Sequence, residues 1–170
     1  MKKLLIITSL IILIILSNKE YESIVIPKEA IRIRVIANSN NLHDQMLKLK
    51  VKENITSNLY QKLENVTTIE EARIKINKNM DEIDNIVKTT LNNNNYEINY
   101  GKNYFPKKEL NGINYDEGNY ESLVVNIGES KGNNWWCVLF PPLCMIETKY
   151  TEINDVEYKS KVLEILNKYK

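Results

Sequence analysis

The stretch GNNWWCVLFPPLC, residues 132–144, is the most informative part of this sequence. It holds both tryptophans, both cysteines and two of the four prolines of the 170-residue chain. Alternate residues of a strand point to opposite sides, and both sides are apolar here: Trp135, Cys137 and Leu139 face one way, and Trp136, Val138 and Phe140 face the other. The strand is therefore either buried on both faces or presents aromatic surface to a partner.

This segment supplies the candidate core or partner-binding residues, which are Trp135, Trp136, Phe140, Pro141 and Pro142. Cys137 and Cys144 are the only cysteines, so any disulfide within the chain joins them. The two prolines favour a turn that brings strands or strand ends together. Spacing alone leaves two alternatives open, a disulfide and a pair of reduced, buried thiols.

The residues before this segment predict its neighbour in the sheet. Leu123, Val125 and Ile127 alternate with Val124 and Asn126, as in a strand, and an earlier strand begins near Tyr96. Gly128 and Gly132 mark a turn. We therefore expect the strand near residues 123–127 to form a hairpin with the Trp-Trp strand.

The first half of the chain predicts a strand and two helical regions. Residues 31–37 alternate, with Arg32 and Arg34 on the polar side of a half-buried strand. A helix follows over residues 42–63, whose apolar face repeats every four residues and is broadened by Leu42, Met46 and Leu49. A narrow apolar stripe over residues 69–91 indicates a second helical region, which we expect to break at residues 77–79.

Together these elements predict an α+β fold, a mostly antiparallel sheet of about four strands with two or three helices on one face. The predicted organisation is a signal peptide or membrane anchor at residues 1–17, a linker at 18–29, a domain at 30–148 and a charged tail at 149–170. Val162, Leu163, Ile165 and Leu166 indicate a short helix in this tail, expected to pack on the domain.

The first residues resemble a targeting segment. Lys2 and Lys3 precede an apolar run over residues 4–16, which is typical of an export signal and short for a membrane span. The 23 basic and 22 acidic residues of the chain give no electrostatic footprint for nucleic acid.

The sequence offers little catalytic chemistry. Cys137 and His43 form the one nucleophile–base pair that could activate a thiolate, but an apolar strand raises the pKa of a thiol and His43 lies at a predicted helix start. One histidine and two cysteines do not indicate a metal site, and no cofactor motif is present. We expect Asp44, Glu53, Glu70 and Glu71 to be solvated. These observations favour a binding protein over an enzyme.

Three stretches together resemble the stage II sporulation protein R family of endospore-forming bacteria. They are residues 31–40 (IRIRVIANSN), 44–53 (DQMLKLKVKE) and, most specifically, 118–144 (GNYESLVVNIGESKGNNWWCVLFPPLC). The chain departs from the family pattern at Arg34, where a His is usual, and at Asn40, where an Asp is usual. If either had a catalytic role, it is absent here.

The resemblance implies a signalling role. Proteins of this family are made in the forespore, exported to the space between the forespore and mother-cell membranes, and needed there to activate a membrane-embedded aspartic protease. That protease processes the precursor of sigma factor E. Two alternatives stay open: a secreted cell-envelope hydrolase using Cys137 and His43, and a structural protein tethered to the membrane by its N-terminus. No cofactor, small-molecule substrate or nucleic-acid partner is expected.

Overall fold

The computed structural model describes residues 24, 26–92, 94–110, 113–149 and 154–169. The predicted signal or anchor at residues 1–17 and much of the linker lie outside the described residues. Within the described residues the elements are β1 Ile31–Ile36, α1 Leu42–Leu63, α2 Ile69–Lys78, α3 Met80–Thr90, β2 Tyr96–Phe105, β3 Lys108–Leu110, β4 Ile113–Tyr115, β5 Gly118–Ile127, β6 Asn134–Phe140, α4 Cys144–Lys149 and α5 Asp155–Lys168.

The main sheet has the strand order β2-β5-β1-β6. β1 is parallel to β5 and antiparallel to β6, and β2 is antiparallel to β5. The sheet is thus mostly antiparallel, with helices packed on it, and the predicted α+β class is confirmed. β3 and β4 form a separate two-stranded ribbon.

The hairpin predicted between β5 and β6 is wrong, because β1 lies between these strands. The connection from β5 instead crosses the end of β1. There the Lys131 N–H donates to the Asn38 carbonyl (3.1 Å) and the Gly132 N–H donates to the Ala37 carbonyl (2.9 Å). These bonds hold the connection against the segment that follows β1, so β6 begins on the far side of β1.

One face of the sheet packs against α1, α2 and α3 through aliphatic side chains. We call this cluster the aliphatic core; its fully buried members include Ile33, Val35, Leu123 and Val125 from the strands and Val51, Ile55, Ile76, Ile83 and Val87 from the helices. α1 begins and ends where the four-residue repeat predicts. The predicted break is also present, since α2 ends at Lys78 and α3 begins at Met80.

The opposite face is covered by the β3–β4 ribbon and α5. We call this second cluster the aromatic core; it includes Phe105, Tyr115, Tyr120 and Trp136, together with Tyr158, Val162 and Leu166 of α5. This cover buries the side of β1 that was expected to be solvated. Arg32 is only 1% exposed, so the half-buried assignment of this strand is wrong.

The direction of the Phe140 side chain also differs from expectation. The register between β1 and β6 shifts near Ile31, where a bulge brings Phe140 opposite Ile31. Phe140 therefore joins Cys137 and Leu139 in the aliphatic core, and does not share a face with Trp136 and Val138.

The apolar face of α1 is also narrower than predicted. Leu42, Met46 and Leu49 were expected to broaden the packed face, but they are 77%, 51% and 51% exposed. They follow i, i+4, i+7 spacing, which places them in one line on the helix surface. We call this line the α1 stripe.

Candidate partner-binding site

The two tryptophans lie on opposite faces of β6, an edge strand of the sheet. Trp136 is 3% exposed and belongs to the aromatic core. Its ring packs edge-to-face on Phe105, with centroids 5.5 Å apart, and on Tyr115, with centroids 4.9 Å apart. Trp135 is half-buried and packs at the border of the aliphatic core. Trp136 thus serves the core, while part of Trp135 is available for contact.

The guanidinium of Arg32 lies inside the aromatic core. Its Cζ is 3.3 Å from the ring centroid of Tyr120 and 5.2 Å from those of Phe105 and Trp136. Ring faces stabilise a cation that has lost its water, by about 2 kcal/mol at a desolvated site. Burial nevertheless lowers the pKa of Arg32, and its Nε and Nη1 have no hydrogen-bond partner among the described residues. The ring faces replace part of the hydration that burial removes.

Arg34 extends this arrangement toward the surface. Its Cζ lies 4.7 Å from the centroid of Phe105, and burial lowers its pKa. Its backbone pairs with that of Trp136 across the β1–β6 ladder. β1 therefore contributes two guanidinium groups to the side of the sheet on which Trp136 lies.

Three lysines surround the first residues of β6. The Nζ of Lys52 on α1 lies 5.0 Å above the ring of Trp135, and the Nζ of Lys108 on β3 lies 5.4 Å from the ring of Trp136. The Nζ of Lys48 donates to the Asn133 carbonyl at 3.3 Å. Burial, and then the charge of Lys108, lowers the pKa of Lys48. We call these three residues the lysine cluster.

The lysine cluster was missed by sequence reasoning. Lys48 and Lys52 have i, i+4 spacing on a helix, which was a usable signal for a shared face. Lys108 comes from a short strand far along the chain, and nothing local indicates that it approaches Trp136.

A polar network next to the α1 stripe fixes the start of α1. The Asp44 carboxylate accepts hydrogen bonds from Ser39 Oγ (2.7 Å), Asn38 Nδ2 (2.8 Å) and Asn41 Nδ2 (3.1 Å). The bonds from Ser39 and Asn38 lower the pKa of Asp44. The side chain is only 12% exposed, so the expectation that Asp44 is solvated is wrong. It holds the β1–α1 loop.

The same loop is tied to the β5–β6 connection. Asn38 Oδ1 accepts from the Glu129 N–H at 2.9 Å, and Asn40 Oδ1 accepts from the Asn133 N–H at 2.7 Å. A Cβ at Gly132 would lie 2.3 Å from the Ser39 carbonyl oxygen, so only glycine permits this approach. The network unites all three stretches that carry the family resemblance.

Both cysteines are buried in the aliphatic core, and no disulfide joins them in the structure. Their sulfurs approach the same acceptor, the Val138 carbonyl, at 3.7 Å for Cys137 and 3.0 Å for Cys144. Pro141 and Pro142 form the turn that leads from β6 into α4, and not into another strand. Pro141 is buried and Pro142 is half-buried.

The proposed nucleophile and base lie in different environments. Cys137 is 4% exposed inside the aliphatic core, whereas the side chain of His43 is 77% exposed at the start of α1 and lies 3.5 Å from Asp44. No hydrogen bond joins Cys137 to His43 in the part of the chain that the structure describes. Nor do the described residues contain a group of three or more His, Cys, Asp or Glu side chains that could hold a metal ion.

The sequence of this chain was compared with models of known protein families. The family model of stage II sporulation protein R matches residues 27–150 of this chain. Because this match covers well over half of the sequence, the chain belongs to the stage II sporulation protein R family, and the resemblance seen in the sequence is confirmed.

A curated relative agrees with this assignment. The chain is 37% identical over 134 residues to stage II sporulation protein R of Bacillus subtilis. The matched region covers 76% of this chain and 60% of the relative, so this chain spans less than two thirds of that protein's length. No solved structure matches the chain. Among the described helices, none has both the length and the apolar character needed to cross a membrane.

Proposed function

We propose that this protein is an exported signalling protein that activates a membrane-embedded aspartic protease, which in turn processes the precursor of sigma factor E. The observation that carries the proposal is the family match over residues 27–150. The export signal expected from Lys2, Lys3 and the apolar run that follows agrees with a site of action between the forespore and mother-cell membranes.

The surface of the domain is suited to binding. The α1 stripe exposes three large apolar side chains, and the half-buried Trp135 lies on the side of α1 that carries Lys48 and Lys52. Apolar and aromatic groups of this kind provide much of the free energy of protein–protein association. This role requires no catalysis by the chain itself.

Activation by binding has a simple physical condition. A ligand shifts an equilibrium only by as much as its affinity differs between the two states. The domain must therefore bind the active, assembled protease more tightly than the inactive one.

The proposal can be tested by producing the full chain together with the protease and the sigma-factor precursor in a host that lacks all three. Cleavage of the precursor should depend on the chain. A form that begins at Lys19 should fold but stay in the producing compartment, and cleavage should then be lost. Cleavage that is independent of the chain would contradict the activating role, and full cleavage with the Lys19 form would contradict the export argument.

A further inference from the structure

The start of β6 is an open edge of the main sheet. β6 hydrogen-bonds to β1 on one side, and no described strand pairs with its other side. Asn133 and Asn134 are exposed, and Trp135 is half-buried. An edge of this kind offers unpaired backbone groups to which an extended segment of another protein can add.

The lysine cluster brings three positive charges to this edge, while the nearby Asp44 carboxylate is already bonded within the β1–α1 loop. No carboxylate of the described residues lies within ion-pair distance of Lys48, Lys52 or Lys108, which instead contact ring faces, an amide and a backbone carbonyl. Burial, and then the positive charge of Lys108, disfavours the charged form of Lys48 and lowers its pKa. Carboxylates placed here would relieve this repulsion, so the edge is complementary to an acidic segment.

The α1 stripe lies beside the same edge. Gln45, Lys48 and Lys52 form the side of α1 that faces the β1–β6 end, because Gln45 donates to the Ser39 carbonyl and Lys48 to the Asn133 carbonyl. Leu49 is four residues after Gln45 and three before Lys52, which makes it their neighbour on the helix surface. Apolar and cationic groups of α1 are therefore neighbours beside this edge, and Lys108 approaches the same edge from the face that carries Trp136.

We propose that the lysine cluster, Trp135 and the α1 stripe form the docking surface for an acidic, partly apolar segment of the protease. This inference rests on the proposed function and assigns the surface through which it acts. An anionic bilayer fits less well, because Lys48 is only 7% exposed and is reached by an inserted side chain better than by a flat surface. The carboxylates of the partner pair with the lysines, while its apolar side chains cover Leu42, Met46 and Leu49.

The test uses two charge reversals and a control on the same helix. Lys52→Glu and Lys108→Glu, singly and together, reverse charges of the lysine cluster. Lys50→Glu makes the same change on α1, but its side chain points about 200° away from that of Lys52. Thermal unfolding of each full-length variant establishes that it folds before binding is measured.

Binding is measured by co-sedimentation of the full chain with vesicles that contain the protease and with vesicles of phosphatidylglycerol alone. The double variant should bind protease vesicles at least about tenfold more weakly than the parent, while Lys50→Glu should stay within about twofold of it. Raising the salt from about 50 to about 500 mM should weaken the parent more than the double variant.

The possible outcomes distinguish a wrong docking surface from a wrong proposed function. Parent and double variant binding alike would overturn the docking surface while leaving the proposed function intact, provided that both promote cleavage of the precursor. Binding of the parent to protein-free vesicles that the double variant loses would assign the surface to lipid. A dimer that the double variant abolishes would assign the surface to a second copy. Either result would overturn the inference. A parent that neither binds nor promotes cleavage would instead contradict the proposed function.

Discussion

The two faces of the main sheet bury different kinds of side chain. Under α1, α2 and α3 lies the aliphatic core, where Ile33 and Val35 meet residues such as Val51 and Ile55. On the opposite face lies the aromatic core, where the Arg32 guanidinium is held among rings. β1 supplies both, with alternate residues entering each core.

The two cores should differ in how well they tolerate amino-acid substitutions. Aliphatic side chains interact without directional requirements, so a core made from them tolerates substitutions that keep its total volume and its apolar pattern. The aromatic core contains a buried cation, whose free energy depends on the position of particular ring faces. Substitutions in the aromatic core should therefore be more costly and more specific, and the following predictions test this comparison.

The largest effect is expected from the neighbouring tryptophans. Trp136→Ala should lower the free energy of unfolding by about 3–5 kcal/mol, because it removes a buried ring next to Arg32. Trp135→Ala should lower it by roughly half as much, since Trp135 is half-buried. Urea denaturation of both variants measures the difference. Equal losses would show that the two faces bury their tryptophans to the same extent.

Substitutions at Tyr120 test whether a ring face stabilises the Arg32 guanidinium. Tyr120→Leu should cost about 2–3 kcal/mol, because Arg32 loses the ring that lies 3.3 Å from its Cζ. Tyr120→Phe retains the ring and loses the hydroxyl, which donates to the Asp116 carbonyl and also interacts with Arg32, and this should cost about 1 kcal/mol. Thermal unfolding compares the pair. If Phe and Leu are equally destabilising, the ring face does not stabilise Arg32.

The thiols provide the corresponding test in the aliphatic core. Cys137→Ser and Cys144→Ser should each cost about 1–2 kcal/mol, since a hydroxyl is harder to bury than a thiol but can still donate to the Val138 carbonyl. Protease activation per folded molecule should be unchanged. A variant as stable as the parent but unable to activate would show that the thiols take part in signalling.

A smaller and pH-dependent effect is expected where α2 meets the sheet. The Glu121 carboxylate accepts from Arg73 Nη2 (2.8 Å) and from the Tyr100 hydroxyl (2.7 Å). Burial alone would raise the pKa of Glu121, but these two bonds, together with the charges of Arg73 and Lys102, outweigh it and lower the pKa below its ordinary value of 4.5. Arg73 is partly exposed, so solvent screening limits the stabilisation to about 1 kcal/mol.

The sign of this pH dependence follows from linkage. A carboxyl whose pKa is lowered by folding stabilises the protein at pH values above its unfolded pKa, and this stabilisation is lost as the pH falls through the folded pKa. Glu121→Gln should therefore be less stable than the parent at neutral pH, and the difference should shrink below about pH 4.5. Urea midpoints at several pH values test it. A difference that grows in acid would contradict this assignment.

The smallest effect on stability is expected outside both cores. Leu42→Ser and Leu49→Ser should change the free energy of unfolding by no more than about 0.5 kcal/mol, because both side chains are already exposed. The same variants should weaken protease activation if the α1 stripe is part of the contact. Chemical denaturation and precursor cleavage separate the two effects. A large loss of stability would show that the α1 stripe packs within the fold.

The candidate site was only partly predictable from the sequence. Trp135, Trp136 and the cysteines were found because rare residues cluster in residues 132–144. Which tryptophan is buried depends on what covers each face, and Trp136 is covered by residues such as Tyr115 of a ribbon that pairs only with itself. Lys108 comes from that ribbon too, so no local pattern could place it beside β6.

The main helices and the four strands of the main sheet follow from local sequence patterns, whereas the β3–β4 ribbon and α4 do not. The bounds of α1 and the break before Met80 follow from apolar spacing and asparagine chemistry, which act within a few residues. Three features depend on the tertiary structure. β1 separates β5 from β6, and a bulge directs Phe140 into the aliphatic core. Arg32 is buried because the β3–β4 ribbon and α5 cover its face of the sheet. These outcomes depend on contacts between residues far apart in the chain, whose free energy is set by strand order and by what covers each face.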